Sequence, residues 1–211
     1  MVGIVYATRR EAAPLLSQTS AVPLTRRPLP TFISAGGRHP PCMVVISGMG
    51  KVAATAAAVH LVLAHRVPML VNAGLCGRLI LDRSWSVGDL FRITRAVEGD
   101  CDRFGRPEPA VTCDTRWFAR LKPARLVTCD RPVFDAAARN RLAGVGELVD
   151  MEGAAVARVA AFYGVACAMV KGISDAADET GRQELHRNID RVSGRIAQAL
   201  VGELSITIHD E

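Results

Sequence analysis

Apolar positions along this chain fall in short blocks, and the blocks alternate between two spacings. Val2 to Tyr6, Cys42 to Ile46, Pro68 to Val71 and Val165 to Val170 are near-continuous apolar stretches of strand length, the pattern expected of strands covered on both faces. The Ala-rich stretch from Lys51 to near His65, the stretch from Met151 to about Tyr163, and residues 182–204 repeat their apolar positions at helical spacing instead. Shorter strands are predicted at Thr31 to Ser34, Leu90 to Ile93, Arg125 to Thr128 and Leu148 to Val149. Thr8 is placed to cap a helix running through Leu15 and Leu16, with Glu11 in its first turn. Residues 19–41 read as loop apart from the one strand, 72–77 as a turn closing the third strand, and 98–110 as a surface loop.

Strands alternating with helices predict an α/β protein with one central sheet covered on both faces. The chain has 211 residues, 49% of them hydrophobic, enough for one core in one domain. That domain is expected over 1–204, followed by a polar tail at 205–211. In such sheets ligands bind where strands end at their carboxyl side. Glu11, Ser47, Asn72, Asp130, Glu152, Ser174 and Asp175 each lie within a few residues of a predicted strand end.

Composition narrows the classes. The net charge is +5, yet the arginines are scattered and not interleaved with aromatics, so nucleic acid is not the expected partner. The six cysteines are widely spaced with no CxxC pair, which fits buried thiols in a reducing compartment. The apolar start of the chain is too short for a signal peptide or a membrane span, and a cytoplasmic location follows as the expectation.

Gly48-Met49-Gly50-Lys51-Val52-Ala53 sits between a predicted strand and helix and loosely matches a dinucleotide fingerprint. That fingerprint also wants an acidic residue about twenty positions on, and no Asp or Glu occurs between Lys51 and Leu81. A phosphate loop fails too, because Val45 and Val52 occupy its first Gly and its Ser/Thr positions. What remains is a tight turn whose glycines let the backbone approach another group closely. His60 and His65, five apart, should not share a helix face, and no HExxH or GxSxG pattern occurs, so neither a metal nor a serine nucleophile is expected. Three carboxylates stay in view: Glu11, Glu152 and Asp175. Each also has a local explanation, Glu152 as a first-turn dipole partner and Asp175 as a helix cap.

Taken together, six stretches resemble the nucleoside phosphorylase/nucleosidase superfamily, which includes methylthioadenosine/S-adenosylhomocysteine nucleosidases and bacterial purine nucleoside phosphorylases. They are GIVYATRREAAPLL at 3–16, SGMGKVAATAAA at 47–58, NAGLCGRL at 72–79, SVGDL at 86–90, VDMEGAAVARVA at 149–160 and KGISDAAD at 171–178. The last two, in that order and spacing, carry most of the signal. The resemblance implies a single-domain, three-layer fold with a mixed central sheet, a purine nucleoside as small-molecule substrate, and no metal or organic cofactor.

It further implies that Asp175 protonates the departing purine, oriented by Ser174, and that Glu11 activates water. Glu152 would hold the ribose hydroxyls, Met151 would pack on the sugar, and Val133 and Phe134 would meet the base. Asn72 and Leu75 correspond to positions that hold phosphate in the phosphorylases, where Arg and Ser are usual. Water is therefore the expected nucleophile, although Arg9, Arg10 and Arg78 leave phosphate open as a co-substrate. Lys171 stands where the family usually has Arg, and a Lys cannot reproduce a bidentate fork. The segment Thr128 to Val133 and the short chain resemble the hopanoid-associated members, which release adenine from adenosylhopane. By the same analogy a homodimer or higher oligomer is expected. A non-catalytic nucleoside-binding protein is the remaining alternative, disfavoured by retention of all three carboxylates.

Overall fold

In the computed structural model the described residues are 1–36, 39–82, 84–101, 104–106 and 108–206. The first strand, β1 (Val2–Tyr6), is buried along its whole length and lies between two parallel neighbours, β4 (Cys42–Ile46) and β5 (Met69–Arg78). Alternate residues of β1 serve opposite faces, as strand geometry requires. Val5 packs in a core shared with α2 (Lys51–His65) and α4 (Gly153–Tyr163). Ile4 and Tyr6 pack in a second core with α1 (Arg9–Gln18) and α5 (Gly181–Ile206). The result is the expected three-layer arrangement, helices on both sides of one sheet.

The sheet is mixed. Beyond β4 an antiparallel edge is added by β3 (Thr31–Ser34) and β2 (Val22–Thr25). On the other side β5 pairs parallel with β10 (Ala166–Asp175), which runs antiparallel to β6 (Leu90–Glu98). The path continues through β8 (Lys122–Thr128) and β9 (Leu148–Asp150) and returns antiparallel to the far end of β5, while the short β7 (Val111–Thr112) pairs with β6. β5, β10, β6, β8 and β9 thus close a ring, and β5 belongs to both the open sheet and the ring. This double membership brings the carboxyl ends of β5, β9 and β10 together.

Several elements differ from expectation. The stretch 72–77 is not a turn: β5 runs through it, with Leu75 opposite Gly172 and Gly77 opposite Val149. Its glycines serve close approach instead. A Cβ on Gly74 would lie 3.0 Å from Glu11 Oε2, and one on Gly77 3.0 Å from Asp175 Oδ1. β10 likewise extends through Asp175. The strand β2 and the helix α3 (Ala136–Leu142) carry too little periodicity to be read ahead, and both form at the periphery. α5 continues to Ile206, so the first two residues of the expected tail are helical, and 207–211 lie outside the described residues. Among the described residues no helix is long and apolar enough to cross a membrane.

Candidate active site

The ends of β1, β5, β9 and β10 open into one cleft of about 160 Å³. Glu11, Glu152 and Asp175 all line it, joined by Thr8, Leu75, Gly77, Asp150, Met151 and Ser174 from the strand ends. Met49, Pro132, Val133, Phe134, Leu185 and Ile189 form its apolar rim. Three acids far apart in sequence therefore share one enclosure, although each has a local explanation. For Glu152 and Asp175 the local explanation fails as a full account.

Glu11 is 7% exposed and is fixed at both oxygens. The Thr8 hydroxyl donates to Oε1 at 2.7 Å, and the Leu75 N–H donates to Oε2 at 3.2 Å. Thr8 is the helix cap, its Oγ1 accepting from the Glu11 N–H, so the residue that starts α1 also aims Glu11 into the cleft.

Glu152 occupies the N-cap position of α4 without making a capping bond. Its Oε1 accepts instead from the Gly50 N–H at 2.8 Å. Gly48 and Gly50 have φ of +90° and +93°, a region costly for other residues. The glycine-rich turn therefore presents a backbone donor to a carboxylate of the protein itself. Burial pushes the Glu152 carboxyl up to about 7, with help from the neighbouring Asp150 and, more weakly, Glu11; Lys171 and the Gly50 N–H oppose the rise.

Asp175 ends β10, only 3% exposed. Its Oδ2 accepts from the Ser174 hydroxyl at 2.6 Å and its Oδ1 from the Ala177 N–H at 3.0 Å. Burial raises this carboxyl to about 6; the Ser174 and Ala177 hydrogen bonds hold it lower than burial alone would, and Glu184 and Asp178 add to the rise. A carboxylic acid that keeps its proton near neutrality inside a cleft is suited to donate it.

Of the other residues singled out, Leu75, Met151, Val133 and Phe134 line the cleft and Asn72 does not. Asn72 pairs with Val5 and Met169 in mid-sheet, 1% exposed, its Nδ2 donating to the Val5 carbonyl at 3.2 Å. It lies short of the strand end because β5 runs on past it. The arginines considered for phosphate are engaged elsewhere. Arg10 binds Asp190, Arg78 donates to the Asp82 and Trp85 carbonyls, and Arg9 lies over the Phe32 ring. Among the described residues, none of those lining the cleft is Arg, Lys or His. His60 and His65 do meet, their Nε2 atoms 3.3 Å apart; α2 ends at His65, before a left-handed Arg66 cap, where ideal spacing no longer governs.

Sequence reasoning overlooked the rim residues Met49, Leu185 and Ile189, and Asp150 at the floor. Asp150 was readable only as part of VDMEG, and the rim residues carry no signal beyond being apolar.

An α/β fold whose strand ends gather Glu11, Asp150, Glu152 and Asp175 around one cleft defines an enzyme-like class in which acids line the site. The chain belongs to the phosphorylase superfamily, whose family model matches residues 1–205. It is 26% identical to the aminodeoxyfutalosine nucleosidase of Helicobacter pylori, over 96% of this chain and 99% of that one. Its fold is that of the H. pylori 5'-methylthioadenosine/S-adenosylhomocysteine nucleosidase, with a TM-score of 0.90 at 23% identity covering 97% of each chain. It is equally the fold of a Streptococcus pyogenes S-adenosylhomocysteine nucleosidase, with a TM-score of 0.88 at 22% identity, covering 97% of this chain and 96% of that one.

Proposed function

We propose that this protein hydrolyses the N-glycosidic bond of a purine nucleoside, with adenine as base and a modified 5′ group on the ribose. The observation that carries this reading is the convergence of Glu11, Glu152 and Asp175 on one cleft, with burial holding the Asp175 carboxyl at about 6. Relatives named as nucleosidases support it.

Cleavage breaks the C1′–N9 bond, and its electron pair leaves with the base. Asp175 gives its proton to N7, so the base departs neutral instead of as a poor anionic leaving group. Ser174 and the Ala177 N–H fix the carboxyl in place for that transfer. The sugar develops positive charge as the bond lengthens, and Glu152, accepting from the ribose hydroxyls, stabilises that charge. Water adds to C1′ and loses its proton to Glu11, whose two fixed oxygens leave it little freedom to turn away. Met151 packs on the sugar, while Val133 and Phe134 meet the base. Leu75 acts through its backbone N–H on Glu11, and Asn72 has a structural part only. No metal or organic cofactor enters the scheme.

Phosphate as nucleophile is the second reading, and the absence of a cation from the cleft lining among the described residues argues against it, since a bound dianion needs charged partners. The apolar rim favours an apolar 5′ group, as in adenosylhopane, over an anionic one. The deciding experiment is a panel of adenosine derivatives varied at the 5′ position, assayed for free adenine and for ribose or ribose 1-phosphate, with and without phosphate. Free ribose products with an apolar 5′ preference are expected; ribose 1-phosphate would make the enzyme a phosphorylase, and no adenine release from any member would leave a nucleoside-binding protein.

A homodimer and a cytoplasmic location complete the proposal. Val52 and Phe162 are each 83% exposed and Met49 69%, apolar surface that a second copy would cover. Light scattering of the purified chain tests this.

A further inference from the structure

Beneath the cleft floor lies a buried cation that the scheme above does not use. Lys171 is 1% exposed, in mid-β10, and its Nζ lies 2.6 Å from Asp150 Oδ2. Asp150 is tied further: its Oδ1 accepts from the Thr128 hydroxyl at 2.6 Å and its Oδ2 from the Gly153 N–H at 2.9 Å. Thr128 Oγ1 in turn accepts from the Ala154 N–H at 2.9 Å. These bonds grip both flanks of Glu152, since Asp150 precedes it by two residues and Gly153 and Ala154 follow it.

We propose that Lys171 is a positioning residue for Glu152, the buried ammonium that, clamped on Asp150, fixes both the place and the ionisation of the carboxylate meant for the ribose. The inference rests on the role of Glu152 given above.

The groups facing Glu152 come from every element around it. Asp150 from β9 and Glu11 from α1 disfavour its charge, while Lys171 from β10 and the Gly50 N–H before α2 favour it. A Cβ on Gly74 of β5 would lie 3.0 Å from Glu11 Oε2 and 3.7 Å from Lys171 Nζ, so the glycine leaves room for this cation and the Glu11 carboxylate on either side of one point of β5. For Lys171 itself, burial works against its charge, and Asp150 and Glu152 outweigh it, so the ammonium is kept. In a buried site each such charge acts through little screening.

Asp150 and Lys171 are thus partners in structure and opponents in their effect on Glu152, and this separates the proposal from a scaffolding role. The test follows the carboxyl ¹³C shift of Glu152 against pH in the unliganded protein, the resonance being assigned by its loss in Glu152→Gln. Its midpoint should lie near the neutral value given above for the unaltered chain. Lys171→Met should move the midpoint up, Asp150→Asn should move it down, and Lys171→Arg should restore it. Unmoved midpoints, or shifts of the same sign in both variants, would overturn the proposal. If Lys171→Met does not fold, the downward shift in Asp150→Asn and the unchanged midpoint in Lys171→Arg decide. Adenine release by Glu152→Gln tests the role of Glu152 independently: full activity there would remove the ribose contact without touching the electrostatic result.

Discussion

The floor and the rim of the cleft are built on opposite terms. At the floor, strand ends deliver Glu11, Asp150, Glu152 and Asp175, none more than 7% exposed, and each carboxylate has at least one partner from the protein. At the rim, Met49, Pro132, Phe134 and Leu185 come from loops and from the exposed side of a helix, and they offer apolar surface with few hydrogen bonds. The floor concentrates charge in a low-dielectric place where small displacements alter protonation. The rim can change residue by residue with little consequence for the acids. On the proposed reading, reaction chemistry belongs to the part that the sheet locks, and contact with the base and the 5′ group to the part that it leaves free.

The largest effect should come from breaking the floor at the acid. Asp175→Asn keeps the shape and removes the proton, and adenine release should fall by about 100- to 10,000-fold, the usual worth of a general acid; an unchanged rate in a steady-state assay would end the assignment. Glu11→Gln should lower kcat by about 100-fold while the affinity for an unreactive adenosine analogue, measured by calorimetry, stays close to that of the unaltered chain.

Changes at the rim should act on substrate affinity and selectivity. Phe134→Ala should raise KM by about tenfold through lost apolar contact, with kcat little changed. Leu185→Arg should favour a 5′-carboxylate adenosine over 5′-methylthioadenosine by about fivefold in kcat/KM, the scale of a half-exposed charge pair. If either rim variant altered kcat as strongly as Glu11→Gln does, the division between floor and rim would not hold.

The finest test concerns pH. The scheme needs Asp175 protonated and Glu152 charged, so kcat/KM should peak between about 6 and about 7 and decline on the alkaline side as Asp175 loses its proton. Ser174→Ala deletes a hydrogen bond that favours the charged form, so this limb should move to higher pH, a shift read from the rate profile. The proton also links to stability. The folded chain holds it more tightly than an unfolded one, so its stabilising contribution is complete below 3.8 and lost as the pH rises through about 6.

Much of the architecture was legible in periodicity. β1, β4, α2, α4 and α5 lie close to where the apolar spacing puts them, because continuous burial and helical faces leave direct marks on composition. Glu152 and Asp175 were also legible through the resemblance, since VDMEG and GISD are compact motifs, and Glu11 through the matching stretch at 3–16. Residues 72–77 were misread because glycine marks both a turn and a close approach. Only the three-dimensional neighbours, Glu11 above Gly74 and Asp175 beside Gly77, decide between the two. Asn72 was misplaced for the same reason, the true strand end lying several residues further on.

By itself, the order of apolar and polar residues placed most of the strands and helices, since these depend on local spacing, and the resemblance carried by stretches such as VDMEG and GISD picked out the three acids. What only the tertiary structure decided is the state those acids are in. Whether a carboxyl keeps its proton depends on how deeply it is buried and on which charges lie within a few ångströms, and at Glu152 those charges arrive from positions 11, 150 and 171. Chain separation hides such neighbours, and closure of the ring through β5 brings them together.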